Sequence, residues 1–234
     1  MNHDSLIEDS AKKTLIERVV NVFETGKPEG DYANITIYRD GPHNIRQITY
    51  GRSQTTEYGK LRQLVEMYVA ANGQLSADLA SYAPKVGSVA LTDDADFKAL
   101  LRRAGKEDTV MRRIQDEFFD KAYYQPAIKW ADDHTFTLPL SALVIYDSFI
   151  HSGSILWLLR QKFSENPPSL GGDERKWISS YVDARHDWLS THPREVVRKT
   201  IYRTQCFKRE IVRQNWDLSQ LPINANGVNV TSSP

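Results

Sequence analysis

One stretch of strand-like alternation in a chain otherwise patterned for helices constrains the fold more than any bulk property. Across Tyr32–Tyr38 (YANITIY), Ile35 and Ile37 alternate with Asn34 and Thr36, the period-two pattern of a strand. Asp40-Gly41-Pro42-His43-Asn44 follows, dense in residues that turn the backbone, and Ile45–Tyr50 (IRQITY) resumes a β-like run before Gly51. A small hairpin whose turn carries Asp40 is therefore expected among helices.

Elsewhere apolar residues recur at helical spacing. Leu15, Ile16, Val19, Val20 and Phe23 mark an amphipathic helix from about Ser10 to Glu24, stopped by Gly26, Pro28 and Gly30. Leu61, Leu64, Val65, Tyr68 and Val69 mark another, ending near Asn72-Gly73, and Leu75–Ala83, Asp94–Arg103 and Thr109–Ala131 read as three more. Pro139–His151 (PLSALVIYDSFIH) is the most apolar stretch and is expected to be a central buried helix, continuing through Leu156, Leu158 and Leu159 towards Pro167-Pro168. Glu174–Ser190 and Val196–Gln214 are the last helices. The end, Leu221–Pro234, has no periodicity and is expected to wrap the surface or fray. The resulting division is one domain over residues 1–220, with two lobes, and a tail over 221–234.

Bulk properties exclude more than they specify. Of 234 residues, 30 are lysine or arginine and 30 aspartate or glutamate, which leaves no basic footprint for a nucleic acid. No apolar run approaches the roughly 18 residues of a membrane span. The opening MNHDSLIEDS has neither the basic nor the apolar region of a secretory leader. Cys206 is a lone cysteine, and the histidines (His3, His43, His134, His151, His186, His192) form no HExxH, so neither a disulfide, a metal nor a cofactor is expected. Gly171-Gly172 lacks the pattern of a phosphate loop and reads as a helix entry. The tryptophans Trp130, Trp157, Trp177, Trp188 and Trp216 are read mostly as core packing.

Chemistry enters with two carboxyls. Glu24 closes the first helix and Asp40 follows in the hairpin. A carboxyl at the buried carboxy-terminal end of a helix meets the negative end of the helix dipole and loses hydration, and both effects favour its protonated form. An aspartate on an exposed hairpin stays ionised, as a base must. Hydrolysis of a glycosidic bond needs such a pair, one carboxyl to protonate the leaving oxygen and one to activate water or attack.

Further motifs follow in order: Tyr32-x7-Asp40-Gly41, then Gly51, Tyr146-Asp147, Gly171-Gly172-Asp173-Glu174, Val182-Asp183-Ala184-Arg185 and Asn215-x-Asp217-Leu218. With Glu24 they make the chain resemble the family 46 glycoside hydrolases, the chitosanases, of the lysozyme-like superfamily, from about Leu15 to Leu218. The strand-turn-strand from Ile37 through Gly51 also looks like the hairpin of phage-type lysozymes. The resemblance implies a mainly α (α+β) lysozyme-like fold, two helical lobes around a cleft with a small β-hairpin on one wall. It implies a secreted inverting endo-hydrolase of β-1,4 bonds in chitosan, with Glu24 as general acid and Asp40 as general base. By position, the family's buried Asp-Arg-Arg support for the acid becomes Asp147, Arg185 and Arg203. The alternative for Asp147 and Arg185 is a core salt bridge alone; both readings put them in contact, because an unpaired carboxylate in the most apolar helix is costly.

In the family an arginine usually follows the catalytic aspartate, and a threonine positions the attacking water. Here Gly41-Pro42-His43 follows Asp40, the turn is one residue longer, and Arg46 stands in the threonine's place; Thr49 or Thr55 is the substitute. Tyr32, Tyr50, Gly51 and His151 are placed with the substrate. Glu57 is the expected acidic sugar-binding residue, with Asp31 and Glu29 as further carboxylates for a cationic glucosamine polymer. A related amino-sugar polymer such as peptidoglycan, or glycan binding without catalysis, are the alternatives, and a monomer is expected.

Overall fold

The computed structural model describes residues 10–52 and 54–232. The leader reading falls on residues 1–9, which lie outside the described residues.

The first helix, α1 (Ser10–Thr25), buries Leu15, Ile16, Val19, Val20 and Phe23, the stripe that its spacing predicts. The alternating stretch forms β1 (Ile35–Tyr38) and β2 (Gln47–Tyr50), and a third short strand, β3 (Thr55–Thr56), extends the expected hairpin to an antiparallel sheet. Ile35 pairs with Tyr50, Thr36 with Thr49, Ile37 with Ile48 and Tyr38 with Gln47. That register places Thr36, Thr49, Gln47 and Tyr38 on one face and turns Ile48 and Tyr50 to the other.

Short helices follow: α2 (Leu61–Ala70), α3 (Ser76–Ala80), α4 (Ala95–Glu107) and α5 (Thr109–Phe119). The stretch expected as one helix over Thr109–Ala131 is helical throughout, with a π-helical segment at Asp120–Tyr124 between α5 and α6 (Gln125–Asp133). Pro126 explains the irregularity, since it has no N–H for the helical ladder and its ring crowds the preceding turn.

Then α7 (Pro139–Ser152) buries every residue from Leu140 to Ser148, as a helix apolar all round must. It does not run on through Leu156: Gly153, at φ 79°, caps it, and a separate short helix α8 (Trp157–Arg160) follows. Next come α9 (Glu174–Thr191), α10 (Glu195–Arg198), a 3-10 turn at Lys199–Ile201 and α11 (Tyr202–Val212), so the helix expected over Val196–Gln214 is jointed.

The end of the chain corrects an expectation. Through residue 232 it is not frayed: β4 (Ile223–Ala225) and β5 (Val228–Val230) pair antiparallel, with Ile223, Ala225 and Val230 buried in the core with α1 and α7 and Asn226, Gly227 and Asn229 exposed at the surface. Alternating burial carries this short hairpin, and three-residue strands are too brief to show a period in sequence.

Two compact units result. One runs to Pro28 and resumes at Ala122; the other is Glu29–Lys121. The first holds the large core around α7, and the second packs the buried Leu64, Val65, Phe97, Leu101, Met111 and Ile114 of α2, α4 and α5.

Candidate active site

Glu24 sits in the last turn of α1, its side chain 12% exposed. Arg203, at the start of α11, donates from Nη2 to Glu24 and from Nη1 to Asp147 Oδ1 at 2.5 Å. Arg185 of α9 pairs with the other oxygen of Asp147 at 2.7 Å. The chain Glu24–Arg203–Asp147–Arg185 is thus continuous, and its last three members are between 0 and 3% exposed. Each charge faces an opposite one, which is what permits ions in an apolar helix packing. Ser148 accepts from Arg185 Nη1 at 3.2 Å and from the Tyr181 hydroxyl at 3.1 Å, tying the second arginine to α7. The guanidinium of Arg203 also lies 5.5 Å from the ring of Phe23 and 5.8 Å from that of Tyr202. Tyr202 donates to the Phe23 carbonyl at 2.7 Å, so the residue beside the acid is held to the residue beside its arginine.

Burial raises the Glu24 carboxyl above its ordinary range, and the charge and hydrogen bond of Arg203 oppose the shift without cancelling it. That combination favours the protonated carboxyl while leaving a cation beside it to receive it as an anion. His151, near the end of α7, is pushed well below its usual range by burial and by the charges of Arg203 and Arg185. It is therefore neutral beside this cluster at pH 7.

Asp40 belongs to the other unit. It is half-buried after β1, and its Oδ1 accepts from Gln47 Nε2 at 2.9 Å. Thr49 lies on the same strand face as Gln47; its hydroxyl meets that of Thr36 and donates to Gln54 Oε1 at 2.8 Å. Thr55 is 2% exposed, paired through its backbone with Tyr50.

Several residues expected at the substrate make contacts that hold the fold. Glu57 is 1% exposed; its oxygens accept the backbone N–H groups of Ile48 at 3.0 Å and Leu91 at 2.7 Å. Both lone-pair faces of the carboxylate are occupied by backbone, and no surface remains for a sugar amine. Tyr50 is fully buried and donates to Leu101 O at 2.7 Å; burial raises its phenol above its ordinary range. Tyr32 donates to Asp116 Oδ1 at 2.9 Å. Gly51 has φ 87°, and a Cβ there would lie 2.5 Å from Gln115 Oε1, which accepts from Arg52 N at 3.0 Å. Packing explains that glycine without a ligand.

The motifs late in the chain are likewise structural. Asp173 caps α9 by accepting from Lys176 N at 2.9 Å, and Glu174 caps α7 across the fold, accepting from Leu138 N at 2.8 Å and from the Ser141 hydroxyl at 2.6 Å. A Cβ at Gly172 would meet Asn166 O at 1.7 Å. Asn215, fully buried, accepts from Gln220 N at 2.9 Å and donates to Glu210 at 2.6 Å. Among the tryptophans, Trp157 departs from the core reading, with 71% of its surface exposed. Sequence reasoning missed Gln47, Ser148 and Tyr202. Their neighbours in sequence were singled out, but an amide or hydroxyl has no pattern that reveals its partner.

A buried glutamate whose carboxyl is raised by desolvation, backed by an alternating chain of cations and an anion, lies on a mainly helical scaffold with a small antiparallel sheet, a setting in which a carboxyl can serve as a proton donor. The chain belongs to glycosyl hydrolase family 46, whose model matches residues 18–223. It is 28% identical over 228 residues to a chitosanase of Bacillus subtilis (strain 168), covering 89% of this chain and 79% of that one. The native chitosanase of Bacillus subtilis MY002 superposes with a TM-score of 0.79 at 24% identity, covering 95% of this chain and 99% of the other. A chitosanase of Gynuella sunshinyii, solved with chitotetraose, gives a TM-score of 0.77 at 22% identity over 94% of this chain and 97% of that one. The last two likenesses concern the fold, which matches the mainly helical expectation.

Proposed function

We propose that this glycosidase cleaves β-1,4 bonds within chitosan by single displacement, with inversion at the anomeric carbon. The observation that carries the acid assignment is the burial of Glu24 beside Arg203: desolvation keeps it protonated, and the arginine receives the carboxylate left when the proton passes to the leaving oxygen. Asp147 and Arg185 hold Arg203 in place through α7 and α9. Asp40 takes a proton from the attacking water. The likeness to chitosanases, one of them complexed with 6 GlcN, supports a glucosamine polymer as substrate. Since that polymer is too large to enter a cell, the enzyme's work is outside one.

The test is the anomeric configuration of the first product. With a glucosamine hexamer, proton NMR in the first minutes is expected to show the α-anomer at the new reducing end, and none with Glu24→Gln. Initial β-anomer would overturn inversion. Reducing ends released only from cell-wall sacculi would move the substrate to peptidoglycan, and oligomer binding without hydrolysis would leave a binding protein.

A further inference from the structure

The carboxyl read as the base is gripped by a residue whose part in the reaction has not been assigned. Gln47 opens β2 and is 5% exposed. Its Oε1 accepts the backbone N–H of Tyr58 at 3.3 Å, and its Nε2 donates to Asp40 Oδ1 at 2.9 Å. The two contacts fix the amide's direction: the end facing a backbone N–H must be oxygen, so the end facing Asp40 is the donor.

The turn after Asp40 leans on the same residue. A Cβ at Gly41 would lie 3.3 Å from the Tyr58 ring and 3.1 Å from Ile45, whose carbonyl accepts from Gly41 N at 3.1 Å. Tyr58 thus steadies both the chain beside Asp40 and the amide that reaches its carboxylate.

Resting on the reading of Asp40 as base, we infer that Gln47 is a positioning residue, which holds one carboxylate oxygen so that the other faces the water. The choice of an amide has a chemical reason. A single donor fixes the carboxylate plane, yet, being neutral, it adds no charge that would weaken the group as a proton acceptor. Among the described residues Asp40 forms no ion pair, and the Gln47 amide is its side-chain hydrogen-bond partner. Gly41-Pro42-His43 follows Asp40 in the chain, and the amide approaches from the neighbouring strand β2.

Three variants and one spectroscopic measurement test this. Gln47→Leu removes the donor while filling the space, and kcat on a glucosamine hexamer should fall about tenfold or more with KM within about twofold, as for a misplaced catalytic group. Gln47→Glu leaves an acceptor for Tyr58 but sets a second carboxyl against Asp40; the two must share a proton, and kcat should fall further, by about 10²-fold. In the unsubstituted protein, the Gln47 side-chain amide resonances should shift as Asp40 titrates, and in Asp40→Asn they should not. An amide that ignores that titration overturns the contact. Undiminished kcat in both Gln47 variants, with Asp40→Asn inactive, overturns the inference alone. Undiminished kcat in Asp40→Asn overturns the base assignment and the inference with it.

Discussion

The two carboxyls proposed as acid and base are supported by opposite means. Around Glu24 there is a buried relay of full charges, Arg203, Asp147 and Arg185, drawn from three helices of one unit. Around Asp40 there is a neutral amide and a strand edge in the other. The difference follows from the work required of each carboxyl. An acid must keep its proton until transfer and then be stable without it, which burial and a waiting cation achieve together. A base need only be ionised and correctly aimed, and a cation beside it would blunt it.

The largest expected effect sharpens the acid side of that contrast. Glu24→Gln is expected to lower kcat by about 10³-fold or more, measured as reducing ends released, with the fold intact by circular dichroism. It should also raise stability at pH 7. Because the folded state holds the Glu24 proton above the ordinary pKa, the fold binds more protons than the unfolded chain just above pH 4.5, and the stability it contributes at low pH is lost as pH rises through that window. Thermal melts at pH 4 and pH 7 should show the Gln variant gaining only at the higher pH. Equal gains at both would mean that burial does not set the acid's protonation.

Breaking the relay tests whether its charges are one unit. Asp147→Asn leaves Arg185 and Arg203 buried without their shared anion, and urea denaturation should show a loss of about 3–5 kcal/mol. A loss below about 1 kcal/mol would make the relay a set of independent surface-like pairs.

The remaining expected effects, at Glu57 in the other unit and at His151 at the end of α7, are smaller. Glu57→Gln keeps the shape but turns an NH2 group towards Ile48 N or Leu91 N, costing about 1–3 kcal/mol with KM almost unchanged. Raised KM with unchanged stability would return Glu57 to the substrate. Smallest is a pH effect at His151. Its lowered pKa means that the unfolded chain takes up a proton the fold refuses, so stability should decline as pH falls below about 6.5. His151→Gln should flatten that decline, and an unchanged slope would assign it to other groups.

Much of the scaffold was legible because its signals are local. The stripe of α1, the all-round apolarity of α7 and the alternation of β1 and β2 each depend on spacing within a few turns or residues. The joints were less visible: the π-turn before Pro126, the cap at Gly153 and the terminal hairpin depend on what packs against them. At the site, reasoning about buried charge required an arginine partner for Asp147 and the family resemblance named Arg185, and the structure has that pair. Glu57 did not follow, because an acidic residue near a glycine reads the same whether its carboxylate faces a sugar or two backbone N–H groups.

What the amino-acid sequence determined by itself is the kind of fold, the helix end that carries Glu24 and the turn that carries Asp40, all matters of period and local turn chemistry. Only the tertiary structure decided that the Glu57 carboxylate is spent on backbone N–H groups while Glu24 is buried against an arginine. Burial and hydrogen-bond partners come from residues distant in the chain, Arg203 for Glu24 and Leu91 for Glu57. A carboxylate's protonation and reach are set by those neighbours, and no spacing along the chain encodes them.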